Sequence, residues 1–286
     1  MVPGSNPGGP TKHVNGLKTV GRICDRNEVL VEHIFIFISI CMEYPREYRL
    51  EYLQKATGID NFSSFDVLDW GGNHGNLLKD EFKPKTYTCV DVDAQGILLG
   101  KKDHPQANWL YRKKQIPVYN NSTANCISDL QSALIKDFDS NDFKESFDLI
   151  FVYSVFTHDT VEEMENELVL LRNLLRPNGI ICASYIDPDI APIYIMKREK
   201  EYGSSIPRDS FKNLEDFAYF VDGSEIKNQY NRSKSCRHFI SIYNTTWLME
   251  KLNLLLGQCD IYKPNINLVK DFYKEPIQPC FIWKKS

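Results

Sequence analysis

Several signals are missing from this sequence. No Cys-x-x-Cys pair occurs, and the eight cysteines (24, 41, 89, 126, 182, 236, 259, 280) are spaced too widely and irregularly for a zinc knuckle or a small disulfide scaffold. Cys89 and Cys182 sit inside apolar runs, so reduced and mostly buried thiols are expected, which suits a cytoplasmic location. The six histidines (13, 33, 74, 104, 158, 238) are scattered without ligand spacing, so no metal is expected. No apolar stretch approaches the roughly 20 residues of a membrane span; the longest, Ile34 to Met42, is far shorter. No basic stretch followed by an apolar segment opens the chain, so neither a secretory signal nor a membrane partner is expected. Positive charge is not in surplus: 34 Lys and Arg against 38 Asp and Glu give −4. That balance argues against a domain devoted to gripping a nucleic-acid backbone.

What is present is length and alternation. The 286 residues allow about two domains or one large one. Residues 1–16, rich in Pro and Gly, read as a disordered leader, and 17–60 as an N-terminal cap. Within the cap, Pro45 to Gly58 reads as a short amphipathic helix stopped by Gly58. From residue 65 short apolar segments alternate with helical ones: strands at Phe65–Trp70, Tyr87–Val92, Asn108–Tyr111, Phe147–Tyr153 and Ile180–Tyr185. A helix over Ala94–Lys102 fits between two of these. Another begins at Thr160, whose Glu163 three residues on completes a capping-box pattern, and Pro177-Asn178-Gly179 is expected to end it. After a polar insertion at about 186–236, Phe239–Tyr243, a helix over Thr246–Leu255 and Ile277–Trp283 are expected to complete the sheet. Near-continuous apolar strands separated by helices imply an α/β fold, a doubly wound, mostly parallel sheet of seven strands, with ligands at the carboxyl ends of the strands.

The most informative stretch is Val67-Leu-Asp-Trp-Gly-Gly-Asn-His-Gly75, with Asp91 at the end of the next strand. A glycine-rich turn brings backbone N–H groups close to a ligand at a helix start, and an acidic residue about 20 positions on can accept from ribose hydroxyls. A dinucleotide fingerprint would need glycine at 71, 73 and 76, and Asn73 and Asn76 break it. No Gly-Lys-Ser/Thr follows, so a P-loop is absent as well. Asp69, just before the turn, would repel a pyrophosphate but suit a ligand carrying an ammonium and a sulfonium. The charge therefore favours S-adenosylmethionine over NAD.

Four segments in order then resemble the class I S-adenosylmethionine-dependent methyltransferases, in particular the small-molecule members with a type 11 or 12 domain. Val67 to Gly75 is similar to the family's first motif with Asn73 in place of the middle glycine, and Asp91 falls on its acidic ribose position. Phe147-Asp-Leu-Ile-Phe-Val-Tyr-Ser-Val-Phe-Thr-His158 resembles the strand-4 motif, and Leu174-Leu-Arg-Pro-Asn-Gly179 the turn before strand 5. The resemblance implies a Rossmann-like methyltransferase domain over 61–286, with 186–236 as a substrate lid. It implies cofactor contacts from Asp69, Gly71, Gly72, Asn73, Gly75, Asp91, Val92 and Tyr153. The usual acidic adenine contact after strand 3 is missing, and Asn120 or Asn121 would take its place. Strand 4 lacks an Asn/Asp-Pro-Pro-aromatic tetrad, which argues against methylation of an exocyclic amide or adenine amine.

Some residues keep two readings. His158, just past strand 4, is placed for a general base, or packs at the start of the Thr160 helix. Asp91 binds ribose or caps the Ala94 helix, a role Asp93 can also fill. His74 starts a helix at the surface or touches ligand. The expected function is methyl transfer to an O or N nucleophile of a small metabolite, with no nucleic-acid partner. The alternatives are a protein or RNA methyltransferase, and a non-catalytic binding or scaffold protein that keeps the fold.

Overall fold

A computed structural model describes residues 47–78, 81–113, 135–191, 193, 211–214, 218–222, 239–265 and 277–286. The leader, the cap before residue 47, Asn120, Asn121 and most of the 186–236 insertion lie outside the described residues.

The first described element is α1 (Glu47–Thr57), which ends as its sequence predicts. Gly58 follows at φ +68° and returns its N–H to the Gln54 carbonyl at 2.8 Å. The strands are β1 (Asp66–Trp70), β2 (Thr86–Asp91), β3 (Asn108–Tyr111), the two-residue β4 (Lys136–Asp137), β5 (Phe147–Val152) and β6 (Leu175–Ser184). Later come β7 (Phe211–Leu214), β8 (Ala218–Asp222), β9 (Phe239–Tyr243), β10 (Asp260–Tyr262) and β11 (Cys280–Lys284). Between them lie α2 (Ala94–Asp103), α3 (Val161–Leu174) and α4 (Thr245–Leu255).

One sheet of eight strands runs in the order β10-β11-β6-β5-β1-β2-β3-β4. All neighbours from β6 to β4 are parallel, and β11 lies antiparallel between β6 and β10. The chain proceeds outward from β1 to β4 on one side and restarts at β5 on the other. The switch point, where ligands bind in open α/β sheets, therefore falls between the carboxyl ends of β1 and β5.

Side chains alternate across this sheet into two cores. Leu68, Trp70, Ile150, Val152, Ile181 and Ala183 face α3 and α4, where Leu168, Leu171 and Leu248 bury against them. Val67, Cys89, Leu149, Phe151 and Cys182 face the opposite way, against Tyr52 and Leu53 of α1 and Ile97 of α2. The expected capping box opens α3: the Thr160 hydroxyl accepts from the Glu163 N–H, and the Glu163 carboxylate accepts from the Thr160 N–H. At the amino ends of the strands, Arg176 bridges Asp66 at 2.6 Å and Asp148 at 2.8 Å, holding the Asp66 carboxyl down at about 2.

The sheet is the doubly wound, mostly parallel one expected, with an eighth strand, the two-residue β4, at its edge. Two expectations are corrected. Phe239–Tyr243 does not join the main sheet. It is β9 of a separate antiparallel sheet ordered β7-β8-β9, and the short β10 takes the edge place beside β11. Alternating apolar residues gave Phe239–Tyr243 the stronger strand signal, but pairing with β8, inside the insertion, claims it. Finally, α3 ends at Leu174, and Pro177-Asn178-Gly179 lies within the span of β6 rather than acting as a terminator. Asn178 sits at φ +67°, its N–H meets the Lys285 carbonyl at 2.8 Å, and the register with β5 shifts beside it, as at a bulge.

Candidate active site

The end of β1 places Asp69 on the side of the sheet that carries Tyr87 and Cys89, with 1% of its surface exposed. The Tyr87 hydroxyl donates a short hydrogen bond to its carboxylate. Burial pushes the Asp69 carboxyl up to about 6, against the opposing pull of Tyr87 and of the Arg49 guanidinium. The chain then turns sharply. Gly71 sits at φ +77° with its N–H on the Val90 carbonyl at 2.7 Å, and a Cβ there would meet Val155 Cγ2 at 2.3 Å. At Gly72 a Cβ would fall 2.5 Å from the Asp69 carboxyl. Gly75, at φ +79°, rests on the Trp109 ring, where a Cβ would come within 2.6 Å. Each glycine is thus required by a close approach, and at Gly71 and Gly75 by conformation too.

Asn73 takes φ +54°, a region asparagine tolerates better than other residues with a Cβ. Its N–H donates to Asp91 Oδ2 at 2.7 Å, and its amide reaches Asp93 at 3.4 Å and His74 Nδ1 at 2.7 Å. The other Asp91 oxygen accepts from the Asp93 N–H at 2.7 Å. Asp91, at the end of β2 and 8% exposed, therefore ties the turn to the strand, and each of its oxygens keeps a second lone pair for a ligand hydroxyl. Burial lifts this carboxyl to about 7, and the two N–H groups draw it back only in part. Asp93, not Asp91, caps α2, its side chain accepting from the Gln95 N–H. Val92 lies between them, half-buried.

The expected helix after the turn is absent among the described residues: 71–78 pass through successive turns. Positive φ at Asn73 and Gly75 breaks helical continuity, and with β2 starting at Thr86 the chain has little room for one. His74 is accordingly a turn residue whose Nδ1 lies against the Asn73 amide.

On the other side of the switch point, Tyr153 follows β5. Its ring packs on Phe151 and Tyr52, with the Arg49 guanidinium 4.8 Å from its centroid. Ser154 stands at φ +62°, held on all sides. Its N–H donates to Ser184 Oγ at 2.8 Å, its hydroxyl accepts from Gln278 Nε2 at 3.2 Å, and its carbonyl accepts from the Thr157 hydroxyl at 2.9 Å. Ser184 in turn donates to Gln278 Oε1 at 2.6 Å, and Tyr52 donates to the Gln278 carbonyl at 2.8 Å. His158 closes the single 3₁₀ turn Phe156–His158 that follows, half-buried, its N–H on the Val155 carbonyl at 2.9 Å.

The carboxyl ends of β1, β2 and β5 thus gather Asp69, Gly71, Gly72, Asn73, Gly75, Asp91, Val92, Tyr153 and His158 along one edge. Sequence reasoning missed Arg49, Tyr87, Trp109 and Gln278. Tyr87 and Trp109 were visible only as apolar strand residues, and Arg49 and Gln278 lie on segments far from any motif. Behind the site, Glu167 of α3, 2% exposed, accepts from Trp70 Nε1 at 2.9 Å and pairs with Arg112 at 2.8 Å, whose guanidinium lies 4.6 Å from the centroid of the Trp70 ring. Among the described residues no group of three His, Cys, Asp or Glu could hold a metal ion. No described helix is long and apolar enough to cross a membrane. The four described cysteines, Cys89, Cys182, Cys259 and Cys280, are buried and unbridged.

No family model and no curated protein sequence matches the chain. Among solved structures it is similar to a protein from Pyrococcus horikoshii at 15% identity, covering 84% of this chain and 89% of that one with a TM-score of 0.49. It is also similar to the 1,6-didemethyltoxoflavin-N1-methyltransferase of Burkholderia thailandensis, solved with S-adenosylhomocysteine (11% identity, 96% and 93% coverage, TM-score 0.49). A third is a possible histamine N-methyltransferase from Thermotoga maritima, at 11% identity, 92% and 98% coverage and a TM-score of 0.46.

Proposed function

We propose that the chain is an S-adenosylmethionine-dependent methyltransferase acting on an O or N nucleophile of a small metabolite. The observation that carries this reading is the buried Asp69 carboxyl directly beneath Gly72, with Asp91 closing the same turn. A diphosphate laid on that turn would meet two carboxylates. A ligand with ribose hydroxyls and a cationic amino-acid end meets complementary charge instead. The residues fit the cofactor: positive φ at Gly71 and Gly75, and the Asp69 carboxyl behind Gly72, bar side chains from the turn and keep its backbone bare, and Asp91 retains lone pairs for two hydroxyls. Asp69, Asn73, Val92 and Tyr153 complete the holding set.

Bound S-adenosylmethionine supplies a methyl carbon already activated by its sulfonium. The chain's own work is to align an acceptor with that carbon and exclude water. Tyr153 and the locked Ser154 turn form the wall past β5, and His158 stands one turn further on. For a hydroxyl acceptor, His158 takes the proton as the nucleophile attacks. For a carboxylate acceptor it only positions. The four described thiols, buried and unbridged, suit a cytoplasmic enzyme.

A second reading, a binding or scaffold protein, draws on the engagement of both Asp91 oxygens by backbone N–H groups. Isothermal titration separates the two. Micromolar binding of S-adenosylmethionine and S-adenosylhomocysteine, with none of NAD, supports the methyltransferase. No binding at millimolar concentration supports the scaffold.

A further inference from the structure

Four arginines lie among the described residues, and three have acceptors. Arg112 pairs with Glu167, Arg176 with Asp66 and Asp148, and Arg172 donates to the Leu255 carbonyl at 3.1 Å. Arg49 is the exception: among the described residues it makes no ion pair and no side-chain hydrogen bond, although it is half-buried. Its place is fixed from both sides. Three residues along α1, Tyr52 is 4% exposed and anchored to the Gln278 carbonyl, and the Arg49 guanidinium itself rests 4.8 Å from the Tyr153 ring centroid. Tyr153 directly follows β5, so the guanidinium stands at the carboxyl end of that strand, and its charge pulls the Asp69 and Tyr87 values down against their burial.

We propose that Arg49 is the carboxylate-binding residue of this site. The inference rests on the methyltransferase reading. A guanidinium over an aromatic ring keeps N–H donors available at its rim, and that planar fork matches a carboxylate in two parallel hydrogen bonds. Asp69 and Asp91, at the ends of β1 and β2, select the charge: a dianionic phosphate would face two carboxyls across the turn, whereas a monoanion is balanced by the one arginine. Two molecules at this edge can bring a carboxylate, the amino-acid end of the nucleoside cofactor and an acidic methyl acceptor.

The test compares wild type with Arg49→Gln by isothermal titration, thermal unfolding serving to show that both are folded. The probes are S-adenosylhomocysteine, 5′-methylthioadenosine (the same nucleoside thioether without the amino acid), and benzoate added to protein saturated with S-adenosylhomocysteine. Loss of at least tenfold for S-adenosylhomocysteine, with methylthioadenosine unchanged, supports the assignment and places the carboxylate on the cofactor. Equal S-adenosylhomocysteine affinity, with benzoate binding only the wild-type complex, supports it and places the carboxylate on the acceptor. Equal behaviour of the two proteins toward all three probes overturns it, as does equal weakening for both nucleosides. If wild type binds neither nucleoside, the methyltransferase reading itself fails and takes this assignment with it.

Discussion

Acidification from pH 8 to 5.5 should weaken S-adenosylhomocysteine binding about thirtyfold through Asp91 alone. The carboxyl sits at about 7 because it is buried at the end of β2, while the Asp93 and Asn73 N–H groups restore only part of the lost solvation. In the proposed complex, ribose hydroxyls would donate to the ionised form. With only that form competent, the apparent Kd scales as 1 + 10^(pKa − pH), a factor of about 1.1 at pH 8 and about 30 at pH 5.5. Asp69, at about 6, moves a cationic ligand in the same direction. The stability of the free protein moves the opposite way. A carboxyl raised by folding binds a proton that the unfolded chain has already shed, so stability falls as pH rises from about 4 to about 7. For Asp91 that loss amounts to about 4 kcal/mol. Asp66, held at about 2, does not interfere, because its contribution is lost only below about pH 4. Titrations at half-unit pH steps on wild type and Asp91→Asn, beside denaturant unfolding across the same range, check both signs. A Kd constant within twofold, or an Asp91→Asn slope equal to wild type, would refute the reasoning.

Other perturbations read other parts of the site. His158→Ala should leave S-adenosylhomocysteine affinity unchanged while turnover of a hydroxyl acceptor drops roughly 10²- to 10⁴-fold; undiminished turnover removes the base role. Gly75→Ala forces a side chain at φ +79° into the Trp109 ring. It should cost about 1–3 kcal/mol in denaturant unfolding, and an unshifted midpoint contradicts the packing described. Glu167→Ala strips Arg112 and the Trp70 indole of a shared acceptor. A loss of about 3 kcal/mol is expected, since the arginine is left partly buried without its partner. A change under about 1 kcal/mol would show that the pair adds little.

Periodicity and turn chemistry made much of the sheet legible. β1, β5 and β6 are apolar enough to read as strands buried on both faces, and the Thr160 and Asp93 caps announce themselves by local side-chain chemistry. The edges were harder. β10 is a three-residue strand with exposed and half-buried positions, so no run of apolar residues marks it. β9 shows a good strand pattern, but a pattern does not name its partner, and here the partner is β8. Within the site the same division holds. The glycines, Asp69 and Asp91 stand out because positive φ and close backbone approach admit few residue types. Arg49, Tyr87 and Gln278 act through contacts between distant segments, and spacing along the chain holds no trace of those. The helix expected after Gly75 and absent among the described residues is a third case: the motif matched, but the short stretch before β2 leaves little room for one.

Gln278 also bears on the order in which the molecule is made. Its hydrogen bonds span 226 residues to Tyr52, 124 to Ser154 and 94 to Ser184. Domains fold as they leave the ribosome, yet contacts this distant close last, after the entropy of very long loops has been spent. The wall of the site past β5 therefore cannot set until the strand after Gln278 has been synthesised and threaded between β6 and β10. A chain that stops short of that strand keeps the residues of its glycine turn and both carboxyls but lacks the partner that holds Tyr52, Ser154 and Ser184 together.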